Sequence, residues 1–274
     1  MLFMTREFLI EQISLKQTYL CVGLDTDIDK IPPHLKSAKY PQFEFNKRII
    51  DATLDHCVAY KINTAFYESL GAPGWEAMQK TIAYIPCTHF TIADAKRGDI
   101  GNTSMQYARA FFDTMNFDAV TVAPYMGSDS VKPFLAYKNK WTILLALTSN
   151  EGAADFEMLK TEKGYLFAEV MKKSAVWGNP ENLMYVIGAT RPAIIREIRT
   201  QYPDHFFLVP GVGAQGGNLT ELSKAGLTKD CGLLVNASRA VIFSSSDTHF
   251  DESASQVARQ YQDEMRTNLL LRHA

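Results

Sequence analysis

The feature that most constrains the fold of this chain is a series of short apolar runs that end at polar or turn-forming residues. Continuous apolar runs of this kind are typical of strands that are covered on both faces, as in a parallel sheet. Between the runs lie stretches with the helical spacing of apolar residues. The candidate strands are 19–24, 59–63, 90–95, 119–123, 141–147, 183–187, 206–209 and 232–236. The clearest candidate helices are 43–57, 103–115, 163–176, 192–201 and 252–271.

This alternation predicts a single α/β domain over residues 1–274, a (β/α)8 TIM barrel of the phosphate-binding type. Eight strand–helix units in about 250 residues are the usual content of that fold. The alternative is a doubly wound open sheet, which usually carries a glycine-rich phosphate loop after its first strand. Here the first strand runs into Leu24 and Asp25 without such a loop, and the glycine-rich segment follows the seventh strand. That position favours the barrel.

Charge and composition narrow the possible partners. The formal net charge is -2, so we expect no general affinity for nucleic acid, and any phosphate group must meet a local site. The sequence contains no run of about 18 apolar residues, so we expect no membrane span. Arg6 and Glu7 interrupt the N-terminal apolar run, which argues against a signal peptide. The 4 cysteines lie in apolar stretches without a C-x-x-C pair, which predicts buried thiols in a cytoplasmic protein. The histidines show no metal-ligand spacing.

Charged residues stand at three neighbouring strand ends, where a barrel of this kind builds its active site. Asp94 and Lys96 are two residues apart, so in an extended strand both side chains should point into the barrel mouth, with Arg97 pointing away. Lys61 can reach the same mouth from the preceding strand. Such charges must be paired, so a structural ion-pair network is one interpretation. Because perturbed charge clusters mark active sites, the set as a whole favours a catalytic site.

A second group of residues follows the seventh and eighth strands. Gly211, Gly213, Gly216 and Gly217 would let the backbone approach a ligand and present its N–H groups. Arg239 offers a planar donor fork for phosphate. Tight turns beside a surface arginine are the alternative, but the loops after strands seven and eight are the usual phosphate site of such barrels.

These motifs resemble those of the orotidine 5′-phosphate decarboxylases, in the larger bacterial subgroup. The run Asp94-Ala95-Lys96-Arg97-Gly98-Asp99 resembles the D-x-K-x-x-D signature of that family. Residues 22–25 and Lys61 resemble its first two strand ends, and 210–217 with Ser238-Arg239 resemble its phosphate loops. The resemblance runs from about residue 20 to 239 and implies the conversion of orotidine 5′-phosphate to UMP and CO2 in pyrimidine biosynthesis, without a cofactor or metal.

The resemblance also implies a role for each matching residue. Lys96 would protonate C6 of the pyrimidine after CO2 departs, with Asp94 and Asp99 near the substrate carboxylate. Asp99 and Thr103 would enter the site of the other subunit, which implies a homodimer with shared sites. The remaining substrate contacts would be Asp25 and Lys61 to the ribose hydroxyls, Ser149 to the pyrimidine edge, and Gln215, Gly216 and Arg239 to the 5′-phosphate.

The sequence departs from the family pattern at one position, and it leaves three alternative functions open. Glu151 stands where the family commonly has a proline. A related sugar-phosphate decarboxylase would use the same framework with Mg²⁺. A Schiff-base aldolase would use Lys61 or Lys96, although the flanking aspartates oppose this by keeping the amine charged. A nucleotide-binding regulatory barrel without turnover is the non-enzymatic alternative.

Overall fold

The fold is a closed barrel of eight parallel strands, as the sequence predicts, and a computed structural model describes residues 3–212 and 217–272 of it. Neighbouring strands around the barrel follow the order β1-β10-β9-β8-β5-β4-β3-β2, and β6 and β7 form a separate antiparallel hairpin. The strands are β1 (Leu20–Gly23), β2 (Ala59–Asn63), β3 (Phe90–Arg97), β4 (Ala119–Val122), β5 (Trp141–Leu147), β6 (Lys160–Thr161), β7 (Gly164–Tyr165), β8 (Leu183–Ile187), β9 (Phe207–Pro210) and β10 (Leu233–Ala237).

Helices surround the barrel, and several begin where proline favours a helical start. Pro41 and Pro192 occupy the first positions of their helices, where the missing N–H has no intrahelical partner to lose. The helices are α1 (Arg6–Lys16), α2 (Pro41–Thr53), α3 (Ala65–Glu68), α4 (Ala72–Tyr84), α5 (Gly101–Arg109), α6 (Ser128–Leu135), α7 (Leu166–Ser174), α8 (Pro192–Gln201), α9 (Leu219–Gly226), α10 (Arg239–Ile242) and α11 (Phe250–Leu271).

The predicted element bounds agree closely with the structure, with one informative difference. The strands predicted at 59–63, 141–147 and 183–187 have those bounds. The helix predicted to begin at 163 begins instead at Leu166, because Gly164 has φ +129° and closes the β6–β7 hairpin. A helix cannot include such a backbone.

Helices pack around the outside of the barrel, and the N-terminal segment packs beneath it, at the end where the strands begin. α11 lies on α2, where the Phe45 and Phe250 rings stack with centroids 4.8 Å apart. Below the barrel, the Trp141 indole at the start of β5 donates to the Met4 carbonyl at 2.8 Å. The N-terminal segment therefore lies opposite the end at which the strands finish.

The prediction that all cysteines are buried is wrong at one position. Cys21, Cys57 and Cys231 are buried free thiols, whereas Cys87 is exposed. Its apolar neighbours in the sequence belong to the turn between α4 and β3 and not to a strand. Among the described residues, no helix is both long and apolar enough to cross a membrane.

Candidate active site

A cavity of about 330 Å³ opens at the carboxyl ends of the barrel strands. Its volume is in the range of small-molecule sites. Its polar and charged lining comes from five strand ends and the loops after them. These residues are Asp25, Lys61, Asn63, Asp94, Lys96, Thr148, Ser149, Asn150, Asn236, Ser238 and Arg239.

Four charged side chains form an alternating chain across this cavity. The Lys61 ammonium lies 3.0 Å from an Asp25 oxygen and 2.9 Å from Asp94 Oδ2. The Lys96 ammonium lies 2.6 Å from Asp94 Oδ1. Each carboxylate thus has a cation beside it, which offsets the cost of holding charge in a partly dry cavity.

The short distances between these four charged side chains set the protonation states of Lys61 and Asp94. Burial alone would lower the pKa of the Lys61 ammonium, but Asp25 and Asp94 raise that pKa above its usual value. Burial would likewise raise the pKa of Asp94, but Lys61 and Lys96 hold it well below its usual range. Lys61 therefore stays protonated and Asp94 stays ionised at neutral pH.

Lys96 lies on the side that strand alternation predicts, but its backbone is not that of a regular strand. Both Asp94 and Lys96 face the cavity, as predicted, but Lys96 has a left-handed backbone with φ +47°. The pairing of β3 with β4 shifts register between Ala93 and Arg97, which places an irregularity at Lys96. Thr121 of β4 receives the Lys96 backbone N–H at 2.9 Å and donates to Asp94 Oδ1 at 3.1 Å.

Arg97 points to the barrel wall, in agreement with the prediction from alternation. Its guanidinium pairs with Glu68 of α3 and donates to the Ala95 carbonyl. It also lies over the rings of Tyr107 and Phe111, with centroid distances of 5.4 and 5.2 Å. These contacts fix the chain directly after Lys96.

The loop after β5 presents Ser149 to the cavity and is held from two sides. Glu157 accepts the backbone N–H of Thr148 at 2.6 Å, and its oxygens lie 2.9 and 3.0 Å from the Thr148 hydroxyl. From the other side, Gly188 follows β8 so closely that a Cβ there would lie 2.9 Å from the Ser149 Cα and N atoms. Glu151 begins a short 3-10 turn in the same loop, so the chain turns here without a proline.

The opposite side of the cavity is lined by the residues after β9 and β10. Gly211 has φ +96°, and it lines the cavity together with Val212, Ser238 and Arg239. The predicted phosphate contacts Gln215 and Gly216 lie outside the described residues, as does Gly213. Gly23 is needed beneath this region, since a Cβ there would overlap the Ser238 hydroxyl.

Asp99 and Thr103 do not line the cavity of their own chain. Asp99 accepts the N–H of Ile100 at 2.7 Å, and Thr103 is exposed on the first turn of α5. Several large apolar side chains close to them in the sequence are exposed: Ile100, Met105, Tyr107, Tyr125 and Met126. Exposed apolar side chains are typical of a protein–protein interface where they form one surface.

No group of three metal-binding side chains converges in the described part of the chain. The two carboxylates of the charged chain, Asp25 and Asp94, have the Lys61 ammonium between them. This position is where a divalent cation would have to lie to bind both.

Not every residue of the site was identified from the sequence. Asn63 and Asn236 line the cavity from the ends of β2 and β10, and their polar side chains at strand ends were a usable signal. The Asn236 amide oxygen is buried without a partner among the described residues. Thr121 and Glu157 act on other site residues through hydrogen bonds, and no local pattern marks them.

Comparisons with known proteins show which proteins this chain is similar to. Residues 18–249 match the profile of the orotidine 5′-phosphate decarboxylase / HUMPS family. A protein named orotidine 5′-phosphate decarboxylase from Christiangramia forsetii is 57% identical over 97% of this chain and 99% of its own. One of the same name from Parabacteroides distasonis is 58% identical over 96% of this chain and 95% of its own. The structure of Leishmania donovani OMP decarboxylase superposes with a TM-score of 0.82 at 34% identity, covering 96% of this chain and all of that one.

Proposed function

The chain belongs to the orotidine 5′-phosphate decarboxylase family, and from this we infer that it converts orotidine 5′-phosphate to UMP and CO2 in pyrimidine biosynthesis. The observation that carries the proposal is the alternating chain of Asp25, Lys61, Asp94 and Lys96 at the cavity. It supplies a fixed ammonium beside a fixed carboxylate, and the reaction needs both.

The nucleotide lies across the cavity in this proposal. Arg239 binds the 5′-phosphate together with Gln215 and the backbone at Gly216. Asp25 and Lys61 bind the ribose hydroxyls, and Ser149 contacts the edge of the pyrimidine. The separation of Ser149 and Arg239 on different strand ends of one cavity supports this orientation.

The chemical step breaks the bond between C6 and the carboxylate. The electron pair stays on C6, CO2 leaves, and the Lys96 ammonium transfers its proton to C6 to form the C6–H bond of UMP. The Lys96 amine then recovers a proton from solvent. The pyrimidine ring delocalises the developing charge poorly, so a preorganised ammonium beside C6 supplies the main stabilisation.

Asp94 has two functions in this step. Its Oδ1 holds the Lys96 ammonium at 2.6 Å, and its low pKa keeps it negative beside the substrate carboxylate. Repulsion between the two carboxylates would be relieved as CO2 forms. Binding energy from the distant phosphate offsets this repulsion when the substrate enters.

The assembly proposed for the enzyme is a homodimer with shared sites, in which Asp99 and Thr103 of the partner subunit enter the cavity. Their position outside their own cavity and the exposed apolar side chains close to them in the sequence support this. Mixed dimers of Lys96→Ala and Asp99→Ala chains should regain activity, because one of the two sites then carries both intact residues. No recovery in verified mixed dimers would contradict shared sites.

The function is tested with purified protein, orotidine 5′-phosphate and a chelator, by following the loss of pyrimidine absorbance. We expect turnover in the chelator; a requirement for added Mg²⁺ would instead support the sugar-phosphate decarboxylase alternative. Lys96→Ala should abolish turnover while UMP still binds, and Lys172→Ala on the exposed side of α7 is the matched control. Substantial turnover by Lys96→Ala would refute its role as the proton donor.

The phosphate site has its own test. Arg239→Ala should weaken UMP binding by about 1.5–3 kcal/mol, the scale of a hydrogen bond to a charged group. Binding of uridine, which lacks the phosphate, should be unchanged. Equal losses for both ligands would contradict the assignment.

We further propose that the enzyme works in the cytoplasm. Its four cysteines are all free thiols, which is typical of proteins from a reducing compartment.

A further inference from the structure

The backbone of Lys96 is held in an unfavourable conformation. Its φ of +47° lies in the left-handed region, which residues with a Cβ enter at a cost. Such conformations persist where the surrounding structure holds them in place, and they cluster at functional sites. The neighbours of Lys96 should therefore include a group that fixes this conformation.

Thr121 is that group. It lies in β4, its side chain is fully buried, and its hydroxyl oxygen receives the Lys96 backbone N–H at 2.9 Å. The same hydroxyl has one proton to donate, and it donates that proton to Asp94 Oδ1 at 3.1 Å. Asp94 Oδ1 in turn receives the Lys96 ammonium at 2.6 Å.

These three hydrogen bonds close a ring that includes both ends of Lys96. Thr121 fixes the backbone, Asp94 fixes the ammonium, and Thr121 fixes Asp94. The ring sits where β3 departs from regular pairing with β4 between Ala93 and Arg97. A hydroxyl at position 121 can act as acceptor and donor at once, which no aliphatic side chain can do.

We propose that Thr121 is a positioning residue for proton transfer: it holds Lys96 in the left-handed conformation that directs its ammonium to C6 and orients Asp94 beside it. The proposal rests on the proposed function, since the proton acceptor is C6 of the nucleotide. Thr121 itself does not touch the substrate, because it does not line the cavity.

The test is Thr121→Val, which keeps the side-chain shape and removes the hydroxyl. We expect kcat to fall by about ten- to a hundredfold, the scale of a small misplacement of a catalytic group, with KM for orotidine 5′-phosphate and Kd for UMP within about twofold of wild type. Thr121→Ser, which restores the hydroxyl, should recover most of kcat.

The matched control is Thr142→Val on the neighbouring strand β5. Thr142 is also fully buried, and its hydroxyl has no hydrogen-bond partner among the described residues. Its substitution should leave kcat unchanged. An unchanged kcat in Thr121→Val, an equal fall in both variants, or a fall in kcat that Thr121→Ser does not reverse would overturn the proposal. Should Thr121→Val not fold, Thr121→Ala takes the same test.

A crystal structure of Thr121→Val separates this proposal from the proposed function. We expect Lys96 to relax to a negative φ and its ammonium to move away from Asp94. If Lys96 keeps its positive φ and its contact with Asp94, the positioning role is overturned even where wild type decarboxylates the nucleotide. If wild type does not decarboxylate it, the proposed function fails independently of this result.

Discussion

Replacing Lys61 by methionine should expose how much the charged chain depends on its central cation. Methionine keeps the length of the side chain and removes the charge. Lys61 is 4% exposed and contacts Asp25 and Asp94 at 3.0 and 2.9 Å. After the substitution Asp94 keeps Lys96, whereas Asp25 loses the only salt bridge seen for it among the described residues.

The expected loss follows from that geometry. Removing one partner of a buried ion pair costs about 3–5 kcal/mol, because the remaining charge is left uncompensated. Lys96 still compensates Asp94, and the Asp25 side chain is 18% exposed, so we expect the lower end, about 3 kcal/mol in the free energy of unfolding. For a chain of this size that corresponds to a fall in Tm of roughly 6–12 °C.

The pH dependence gives a second measurement. In wild type the lowered pKa of Asp94 contributes stability that is present above the ordinary aspartate pKa and is lost as the pH falls through the lowered value. Without Lys61, burial acts to raise the pKa of Asp94, so its protonation in the variant begins at a higher pH. The difference in stability between wild type and variant should therefore be largest near pH 7 and shrink as the solution is acidified.

Urea unfolding followed by tryptophan fluorescence measures both effects. The control is Lys224→Met, which removes the cation of an exposed pair with Glu221 and should change stability by less than about 0.5 kcal/mol. A loss for Lys61→Met below about 1 kcal/mol at pH 7, the scale of a surface pair, would refute the reasoning. So would a difference that grows on acidification.

Three further predictions concern other parts of the barrel. Burial lowers the pKa of His89 and of His205 to about 4, so below pH 6.5 the unfolded chain binds more protons than the folded chain. The free energy of unfolding should therefore fall between pH 6.5 and 4 by up to about 3 kcal/mol for each histidine. Urea unfolding of His89→Gln should show a flatter dependence of stability on pH, and an equally steep dependence would contradict this prediction. Arg199 donates to four backbone carbonyls, so thermal unfolding should show Arg199→Met to be at least about 3 kcal/mol less stable than wild type. Arg199→Lys should recover little of this stability, and full recovery by lysine would contradict the need for a planar guanidinium. Gly188→Ala should displace the backbone of Ser149 and weaken UMP binding by about tenfold, or 1.4 kcal/mol, while the protein stays folded. An unchanged affinity for UMP, measured by calorimetry, would contradict this prediction and show that the loop can move aside.

The barrel and the location of its site could be predicted because they depend on local patterns. Apolar runs such as 141–147 and 183–187 set the strands, and the residues after each run set the rim of the cavity. The pairing of Lys61 with Asp94 was also predictable, since two neighbouring strands end there. The direction of Arg97 followed from simple alternation.

Other features depend on contacts that no local pattern encodes. Lys96 faces the cavity through a left-handed backbone at an irregular strand pairing, although alternation predicted the correct side. Thr121 and Glu157 matter through partners 25 and 9 residues away in the chain. The helix predicted over 163–176 included β7 of the hairpin, because these few residues carry no alternation and the turn depends on Gly164.

The pairing of β1 with β10 has a consequence for how the protein is made. Residues 20–22 pair with residues 235–237, so the first strand has no neighbour on that side until nearly the whole polypeptide has left the ribosome. An unpaired edge of this kind can associate with other chains. Gly23 and Ser238 meet across the same seam, so the substrate cavity is completed only when the last strand arrives.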